Sequence, residues 1–405
     1  MKPIKVGLLG IGTVGEGTFN VLKRNQEEIR RRAGRGIEIT MVAARNTERA
    51  KRLVHGECDV VSDPFAVVDH PDIDIVIELI GGYELPRELV MRAIANGKHV
   101  VTANKALREG LTANRIESVA GIINGTTNFI LSEMRDKGLD FSTALAQAQG
   151  LGYAEADPTF DIEGVDAAHK LTIMSAIAFG IPVQFDKAHI EGISALQAVD
   201  IRYAEQMGYR IKLLGITRRT VIDGVEGIEL RVHPTLIPSK RLIANVEGAM
   251  NAVLVQADAV GATLYYGKGA GAEPTASSVI ADLVDITRLA TADPEYRVPH
   301  LAFQPNQMTD VAIWPMSEII TSYYLRVYVK NRLGVMADLT RILADARISI
   351  DAVLQKEPAE GATRLDIIML THQTREKNID EAIIKIEALD TVVGNVTRIR
   401  LESLS

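Results

Sequence analysis

The first hundred residues alternate between short apolar runs and stretches whose apolar positions recur at helical spacing. The apolar runs are rich in β-branched residues, which is typical of strands; they are "IKVGLLG", "IEITMVAAR", "IDIVIELIGG" and "KHVVTAN". Helical patterns lie between them, from about Gly15 to Arg32 and over "LPRELVMRAIANGK". Strands that alternate with helices predict a parallel sheet with right-handed crossovers. We therefore predict an α/β nucleotide-binding domain with a Rossmann-type parallel sheet over residues 1–106.

The pattern changes in the middle of the chain. Residues 107–182 mix helical stretches with glycine-marked turns, and from about 183 to 265 strand-like pieces follow one another: "IKLLGITRRTVID", "GIELRVHPTLI" and "AVLVQADAVGATLYYG". This indicates an α+β domain over 107–266 with a largely antiparallel sheet. An amphipathic helix is predicted over 275–290.

The C-terminal third starts with a proline-rich linker, predicted over 291–318 because it carries four prolines and no clear period. Residues 319–405 then show the order strand, helix, strand, strand, helix, strand. That order is the βαββαβ unit of ferredoxin-like folds.

Composition narrows the partners and the compartment. The chain has 405 residues, 47% of them hydrophobic, and a formal net charge of −7. Excess negative charge argues against nucleic acid or an acidic membrane surface as a partner, and no apolar run is long enough for a membrane helix. A single cysteine, Cys58, permits no intrachain disulfide and fits a reducing cytoplasm.

A glycine-rich turn follows the first predicted strand. Gly10, Gly12 and Gly15 form G-x-G-x-x-G, with Thr13 and Val14 at the start of the helix. The first glycine allows the tight turn, the second lets the backbone approach a pyrophosphate, and the third lets helix and strand pack closely. Because unpaired N–H groups at the helix start favour an anion, the motif predicts a dinucleotide site, with a purely structural glycine turn as the alternative.

The residue that would read the ribose is an arginine. Arg45 stands at the end of the second strand, where NAD-binding proteins usually carry Asp or Glu. An arginine suits the 2′-phosphate of NADP(H), but exposed arginines are also ordinary surface residues, so NAD stays open. Gly81 in "ELIGG" ends another strand where a cofactor can approach the backbone.

The most unusual stretch is "EADPTFDIEGVDAAHK", residues 155–170. Five carboxylates precede one lysine, Lys170, and an apolar helix follows. The carboxylates are Glu155, Asp157, Asp161, Glu163 and Asp166. Over a helix 164–180, one stripe is predicted to contain Asp166, Lys170, Ile173 and Ile177, and the adjacent stripe Ala167, Leu171, Met174 and Ala178. The two charges therefore border the apolar face. They predict either an ordinary i,i+4 ion pair or an anionic pocket for an ammonium-bearing substrate, with Lys170 desolvated enough to exchange protons.

Two other reactive side chains are interpreted as structural. His169 lies off the stripe of Asp166 and Lys170. Cys58 lies in a polar stretch without the surroundings of an activated thiolate, which favours hydride transfer between alcohol and carbonyl over an acylating dehydrogenase.

The motifs together resemble homoserine dehydrogenase, and the C-terminal "NRLGVMADLTRILADARISI" resembles an appended ACT regulatory domain. The resemblance covers nearly the whole chain and rests on "GLLGIGTVGEG", "ELIGG", "TANKA", "GIINGTTNFIL", "GYAEADPTFDIEGVDAAHK" and "GKGAGAEPTASSVIADL". It implies NAD(P)-linked interconversion of L-homoserine and L-aspartate 4-semialdehyde, on the route to threonine and methionine.

The resemblance also implies roles for single residues. Lys170 would exchange the proton of the reacting oxygen, Asp166 would bind the hydroxyl and orient Lys170, and Lys105 would sit beside nicotinamide and substrate. The implied substrate-binding residues are Gly125, Thr126, Tyr153, Glu155, Asp161 and Asp166. The implied cofactor-binding residues beyond the glycine turn are Arg45, Gly81, Thr102, Lys105 and Gly271. The segment 267–290 would return to the first domain, leaving 107–266 as the substrate and dimerisation domain.

One departure from the family pattern falls at Ala106–Leu107. The family has some tens of residues here, including a loop that supplies pocket wall and oxygens for a monovalent cation such as Na⁺. No residue of this chain can be assigned to that cation site. Either the natural protein contains the segment or the segment is deleted. We expect the first, which predicts a Cα–Cα distance across 106–107 beyond the roughly 3.8 Å of a trans peptide.

ACT domains commonly bind amino acids at the glycine turn after the first strand, at a pairing of two copies. The matching residues are Asn331, Gly334 and Val335, with threonine the effector that the pathway suggests. A purely structural dimerisation domain is the alternative, and either implies a homo-oligomer, dimer or tetramer. If the segment after Ala106 is truly deleted, the competing functions are a non-catalytic amino-acid sensor and a related NAD(P) oxidoreductase.

Overall fold

The computed structural model describes residues 2–80, 84–100, 111, 113–289, 301–303, 305–356 and 363–404. Contacts divide the chain into two units, Met1–Ala106 with Lys268–His300, and Leu107–Gly267 with Leu301–Ser405. The join Ala106–Leu107 lies outside the described residues, so the expected gap there stays a prediction.

The first unit is built on a five-stranded parallel sheet with the order β3-β2-β1-β4-β5. Its strands are β1 (Ile4–Leu9), β2 (Ile37–Ala43), β3 (Asp59–Val61), β4 (Ile75–Glu78) and β5 (His99–Val100). Its helices are α1 (Thr13–Arg24), α2 (Gln26–Ala33), α3 (Thr47–Leu53), α4 (Phe65–Val68), α5 (Glu84–Ala95) and α11 (Ala272–Leu289). The strand order reverses between β1 and β4, which in open α/β sheets is where a ligand binds.

The sheet confirms the Rossmann-type fold class, with two differences in detail. The helix predicted from Gly15 to Arg32 is interrupted at Asn25 and ends where Gly34 adopts a left-handed φ of 78°. The short strand β3 was not predicted, because three residues carry too little periodicity to identify. The helix predicted over 275–290 is α11, which packs along α1 in this unit.

The second unit contains one large sheet in the order β11-β10-β6-β8-β9-β16-β12-β14-β13. Its strands are β6 (Ile116–Ile122), β7 (His189–Ile190), β8 (Tyr209–Ile222), β9 (Val225–Pro238), β10 (Met250–Ala257), β11 (Gly261–Lys268), β12 (Ile320–Lys330), β13 (Ile350–Gln355), β14 (Arg364–Thr371), β15 (Thr374–Arg375) and β16 (Thr397–Leu401). The long β8–β9 hairpin turns at Asp223 and Gly224, both with positive φ, as two-residue hairpin loops require.

The helices of this unit cover the sheet and close its core. They are α6 (Gly125–Lys137), α7 (Phe141–Gly150), α8 (Thr159–Ile162), α9 (Val165–Phe179), α10 (Ala198–Gln206), α12 (Val335–Asp345) and α13 (Glu376–Glu387). Buried side chains of α6, α7, α9 and α10 pack with those of β6, β8 and β9 in one hydrophobic core. The order of β12, α12, β13, β14, α13 and β16 confirms the βαββαβ prediction.

The C-terminal βαββαβ unit shares its sheet with the preceding domain. Strand β16 pairs in parallel with β9 through Arg400 and Leu401. In the segment that precedes β12, Trp314 packs over Gly227 of β9 and donates from Nε1 to the Thr220 carbonyl at 3.3 Å. The described end of the predicted linker is therefore packed along the sheet.

Candidate active site

The glycine turn has the shape that a dinucleotide requires. Gly10 has a φ of +93°, and a Cβ there would lie 2.8 Å from the Leu79 carbonyl oxygen. A Cβ at Gly15 would lie 2.2 Å from the Gly10 oxygen, so α1 and β1 approach too closely for any side chain. A Cβ at Gly12 would meet nothing within 4 Å, and no side chain caps the helix there. Among the described residues, nothing fills the space beside Gly12, and the N–H groups of Thr13 and Val14 in the first turn of α1 have no partner within the helix.

The other cofactor-binding candidates lie near this turn or outside the described residues. The Gly10 N–H donates to the Ala43 carbonyl at 2.9 Å, which brings the end of β2 beside the turn, and exposed Arg45 follows two residues later. Gly271 has a φ of +124° and precedes Ala272, which packs against Gly17 of α1. Gly81, Thr102 and Lys105 lie outside the described residues.

In the second unit, three segments bring the acidic residues together. Gly164, with a φ of +81°, precedes the first residue of helix α9 and turns the chain between the short helix α8 and α9. Asp161 is on α8, and Asp166 and Lys170 are on the first turns of α9. The third segment is the turn from β6 into α6, where Asn124 caps the helix.

The lysine is held from two sides. Lys170 Nζ donates to Asp166 Oδ2 at 2.8 Å and to the Ile123 carbonyl at 3.2 Å. An ammonium has three N–H groups, and the third has no partner among the described residues. The Lys170 side chain is 50% exposed, whereas that of Asp166 is 21% exposed, so the desolvation expected of this lysine is only partial.

Asn124 joins the two aspartates. Its Nδ2 donates to Asp161 Oδ1 at 2.6 Å and to Asp166 Oδ2 at 2.8 Å. Burial raises the pKa of the half-buried Asp161 carboxyl; the charges of Asp166 and Glu155 add to the rise, while Asn124 and Lys170 oppose it. The carboxylates thus form an anionic patch that a positively charged ligand would relieve.

The expected helical stripe is partly wrong. Leu171 and Met174 point into the core, as predicted for the adjacent stripe. Ile173, which was placed beside Asp166 and Lys170 at the apolar border, is 40% exposed, so this stripe faces outward at its centre.

The remaining substrate-binding candidates border the cluster through local contacts. Thr126 Oγ1 donates to the Tyr153 carbonyl at 2.7 Å. A Cβ at Gly125 would lie 2.8 Å from the Ala249 oxygen, so only glycine allows the start of α6 to sit against that loop. Tyr153 is half exposed and its ring contacts Phe129, and Glu155 is exposed and close enough for its charge to act on Asp161.

His169 and Cys58 have surroundings that agree with a structural interpretation. The His169 ring stacks on Phe185 with centroids 3.9 Å apart and planes 5° apart, and Phe160 lies on it at 5.8 Å. Burial raises the pKa of the Cys58 thiol to about 11, with Asp59 and Glu57 adding to the rise, so the thiolate is scarce at neutral pH.

Asn124 is a residue that the sequence analysis missed. Its neighbours Gly125 and Thr126 were singled out, but the asparagine itself was not. An asparagine directly after an apolar strand and before a helix is a common N-cap signal. That signal was present in "IINGTTN", but it predicts a cap and not contacts with two distant carboxylates.

The regulatory candidates also lie at a helix start. Gly334 has a φ of +92° and precedes α12 without any side-chain cap, while Val335 is buried. Asn331 is exposed, and its backbone N–H donates to the Thr363 carbonyl at 2.8 Å.

The part of the chain that the structure describes contains neither a metal-binding cluster nor a membrane-spanning helix. No cluster of three or more His, Cys, Asp or Glu side chains there could hold a metal ion. Within the same residues, every helix is too short or too polar to cross a bilayer.

Three family models together match most of the chain. The model described as homoserine dehydrogenase matches residues 103–284, and the homoserine dehydrogenase NAD binding domain matches 10–117. The ACT domain model matches 323–389.

Full-length relatives agree with these matches. Homoserine dehydrogenases of Pseudomonas aeruginosa and Neisseria gonorrhoeae are 56% and 53% identical, with all of each chain covered. A crystal structure of a homoserine dehydrogenase from Thiobacillus denitrificans is 63% identical with a TM-score of 0.93, covering 100% of this chain and 99% of that one. Fold and site define an NAD(P)-dependent oxidoreductase with an ACT domain. The chain belongs to the homoserine dehydrogenase family.

The enzyme thus interconverts L-homoserine and L-aspartate 4-semialdehyde with a nicotinamide cofactor, and its ACT domain supports regulation by an amino acid. The alignment with the Pseudomonas aeruginosa protein runs over 440 positions, whereas this chain has 405 residues. The difference, 440 less 405, means that at least 35 positions face gaps in this chain.

Proposed function

We propose that Lys170 is the acid/base residue of the reaction. In the reductive direction it donates a proton to the aldehyde oxygen as hydride reaches the carbonyl carbon, which yields the alcohol of homoserine. In the oxidative direction the neutral amine removes the hydroxyl proton. The observation that carries this role is the position of Lys170 Nζ, which donates to Asp166 at 2.8 Å and to the Ile123 carbonyl at 3.2 Å and so keeps one N–H of the ammonium for the substrate.

The carboxylates bind the substrate in this proposal. Asp166 orients Lys170 and accepts the hydrogen bond of the reacting hydroxyl, for which Oδ1 has no partner among the described residues. Glu155 receives the substrate ammonium, and Asp161 supports the polar wall. Gly125, Thr126 and Tyr153 line the pocket beside them, Thr126 through the contact that fixes it to the Tyr153 carbonyl.

The first unit holds the cofactor in this proposal. The N–H groups at Gly12, Thr13 and Val14 receive the pyrophosphate, for which the open space at Gly12 leaves room. When bound, the nicotinamide supplies or accepts the hydride. Arg45 would bind a 2′-phosphate, which favours NADP(H) over NAD(H).

Further cofactor contacts come from Gly10 and Gly15 in the same turn and from Gly271. Three candidates outside the described residues complete the proposed site: Gly81, Thr102 and Lys105, with Lys105 also beside the substrate.

Regulation and assembly complete the proposal. An amino acid, with threonine as the first candidate, binds at Asn331, Gly334 and Val335 between two copies of the ACT domain. The same proposal includes a homo-oligomer in the cytoplasm and a monovalent cation whose ligands are unassigned. It divides the chain into a cofactor domain (1–106 with 267–290), a substrate domain (107–266), a linker (291–318) and an ACT domain (319–405). A threonine titration that changes neither activity nor thermal stability would count against that effector.

The test is homoserine-dependent reduction of NADP⁺ by the wild type and by Lys170→Ala. The matched control is Lys137→Ala, since Lys137 forms the same i,i+4 pair with Glu133 on the surface of α6 and its side chain is 55% exposed. We expect Lys170→Ala to lose about 10²-fold or more in kcat and Lys137→Ala to retain wild-type activity. Activity of Lys170→Ala equal to wild type would refute the acid/base role.

The same assay separates the competing functions. A non-catalytic amino-acid sensor requires wild type and Lys170→Ala to be equally inert while threonine still raises thermal stability. A related oxidoreductase requires the wild type to reduce NADP⁺ with another amino-acid alcohol and not with homoserine.

A further inference from the structure

The amide of Asn124 is saturated by contacts of one orientation only. Nδ2 faces the Asp161 and Asp166 carboxylates at 2.6 and 2.8 Å, and Oδ1 accepts the Thr127 N–H at 2.9 Å. Exchanging nitrogen and oxygen would set a carbonyl oxygen against two carboxylates and an NH₂ against the Thr127 N–H, which makes these three contacts repulsive; only the Thr127 hydroxyl, 3.1 Å from Oδ1, fits either orientation. With the residue only 5% exposed, water offers little substitute for these partners.

These contacts bear on the reacting lysine. Asp166 Oδ2, which accepts from Asn124, also accepts from Lys170 Nζ. The residue before Asn124 is Ile123, whose carbonyl accepts the second N–H of the same ammonium at 3.2 Å. Two consecutive residues of the β6–α6 turn therefore fix the ammonium, one directly and one through the aspartate.

We propose that Asn124 is a positioning residue for the reaction: it clamps Asp161 and Asp166 at one spacing and, through Asp166, aims Lys170. The inference rests on the proposed role of Lys170. The Asn124 Nδ2 group donates to Asp161 and Asp166, which lie 37 and 42 positions further along the chain. One amide therefore joins the β6–α6 turn to both α8 and α9.

Capping of α6 does not explain the choice of asparagine. A cap needs only an oxygen that accepts from the backbone, and Ser or Asp serves as well as Asn. Helix α7 illustrates this, because Asp140 caps it by accepting from the Thr143 N–H at 2.8 Å. Only an amide supplies an acceptor for the cap and two N–H donors for the carboxylates.

The amide also influences ionisation in the cluster. The groups that act on Asp161 are Asp166 and Glu155, which raise its pKa further above the value set by burial, and Asn124 and Lys170, which lower it. Removal of the Asn124 donors therefore raises the pKa of Asp161. At a given acidic pH a smaller fraction of the carboxylate is then charged, and the substrate ammonium binds less well.

The test compares Asn124→Ser and Asn124→Asp with the cap control Asp140→Ser in homoserine oxidation at several pH values. Both Asn124 variants keep a capping oxygen and lose the two N–H donors. We expect a fall of about 10²-fold in kcat/KM, shared between kcat and KM, and an acidic limb of the pH profile at higher pH. Asp140→Ser should match the wild type in both respects.

The outcomes separate this inference from the proposed function. Wild-type kcat/KM and pH profile in Asn124→Ser, with Lys170→Ala inactive, would overturn the inference alone. A loss of activity that follows thermal destabilisation and leaves the pH profile in place would also overturn it, because it shows a structural role. Full activity of Lys170→Ala would instead overturn the proposed function. Should Asn124→Ser not fold, the same comparison is read from Asn124→Asp, which retains the side-chain shape.

Discussion

Replacing Arg400 by methionine tests whether buried charges hold the C-terminal strand in the large sheet. Arg400 is 1% exposed and lies on β16, where that strand pairs with β9. It donates to Glu191 Oε2 at 2.8 Å and Oε1 at 2.9 Å, and to Glu376 Oε2 at 2.9 Å. The substitution removes these charge-assisted bonds and leaves two carboxylates behind.

The expected cost follows from what remains around those carboxylates. Removing one partner of a buried ion pair typically costs about 3–5 kcal/mol. Here Arg398 still contacts Glu376 at 2.9 Å and Glu191 at 3.5 Å, and the Tyr323 hydroxyl still donates to Glu376 at 2.7 Å. We therefore expect the lower end, about 3 kcal/mol in the free energy of unfolding at pH 7.

The loss should depend on pH. Burial alone would raise the pKa of Glu376, but Arg400 and Arg398 outweigh it and hold that pKa below its usual value of 4.5. A depressed carboxylate pKa stabilises the fold above the unfolded value and loses this effect as pH falls through the folded value. The difference between wild type and Arg400→Met should therefore shrink below about pH 4.5.

The assay is urea unfolding at pH 7 and at lower pH. Arg115→Met is the matched control in the same unit, since Arg115 pairs with Glu226 at 3.2 Å while 58% exposed, and surface pairs contribute about 0–1 kcal/mol. A loss below about 1 kcal/mol in Arg400→Met, equal to that of the control, would show that the buried cluster does not hold the strand.

Three further predictions concern single residues. Cys58, with its pKa raised to about 11, should react with a thiol reagent at pH 8 far more slowly in the folded protein than in urea, and equal rates would contradict its burial. Gly192→Ala places a Cβ 2.4 Å from the Ile162 oxygen beside α8 and should lower both stability and kcat, whereas Gly150→Ala, with nothing within 4 Å, should lower neither. Gly12→Ala should raise the KM for NADP⁺ about 10-fold or more by filling the pyrophosphate space, without changing thermal stability, and an unchanged KM would refute that placement.

The parts of the fold that could be predicted are those encoded by local patterns. Alternation of strands and helices identified the parallel sheet, and the spacing of Gly10, Gly12 and Gly15 identified the turn because each glycine has a local steric reason. The strand β6 was missed, since "RIESVAGIING" contains Gly and Ala and no clean alternation; its identity comes from pairing with β8 and β10. Pairing partners override weak local preference.

The active site could be predicted in its residue types but not in its connections. Asp166 and Lys170 stand one helical turn apart, so their contact follows from helix geometry. The bridge from Asn124 reaches residues 37 and 42 positions further along the chain, and the pairing of β16 with β9 brings together two strands that are far apart in the chain. Such contacts depend on the tertiary fold, and the local hydrophobic periodicity of the sequence does not predict them.

Chemical rescue of Lys170→Ala by small primary amines tests the central claim most directly, because the half-exposed side chain leaves a path for an amine to reach its place. If the Lys170 amine moves the proton of the reacting oxygen, homoserine oxidation by the variant should rise with amine concentration and with the pKa of the amine added. A variant that remains as active as the wild type without any amine, or that no amine restores while its substrate and cofactor still bind, would contradict the claim.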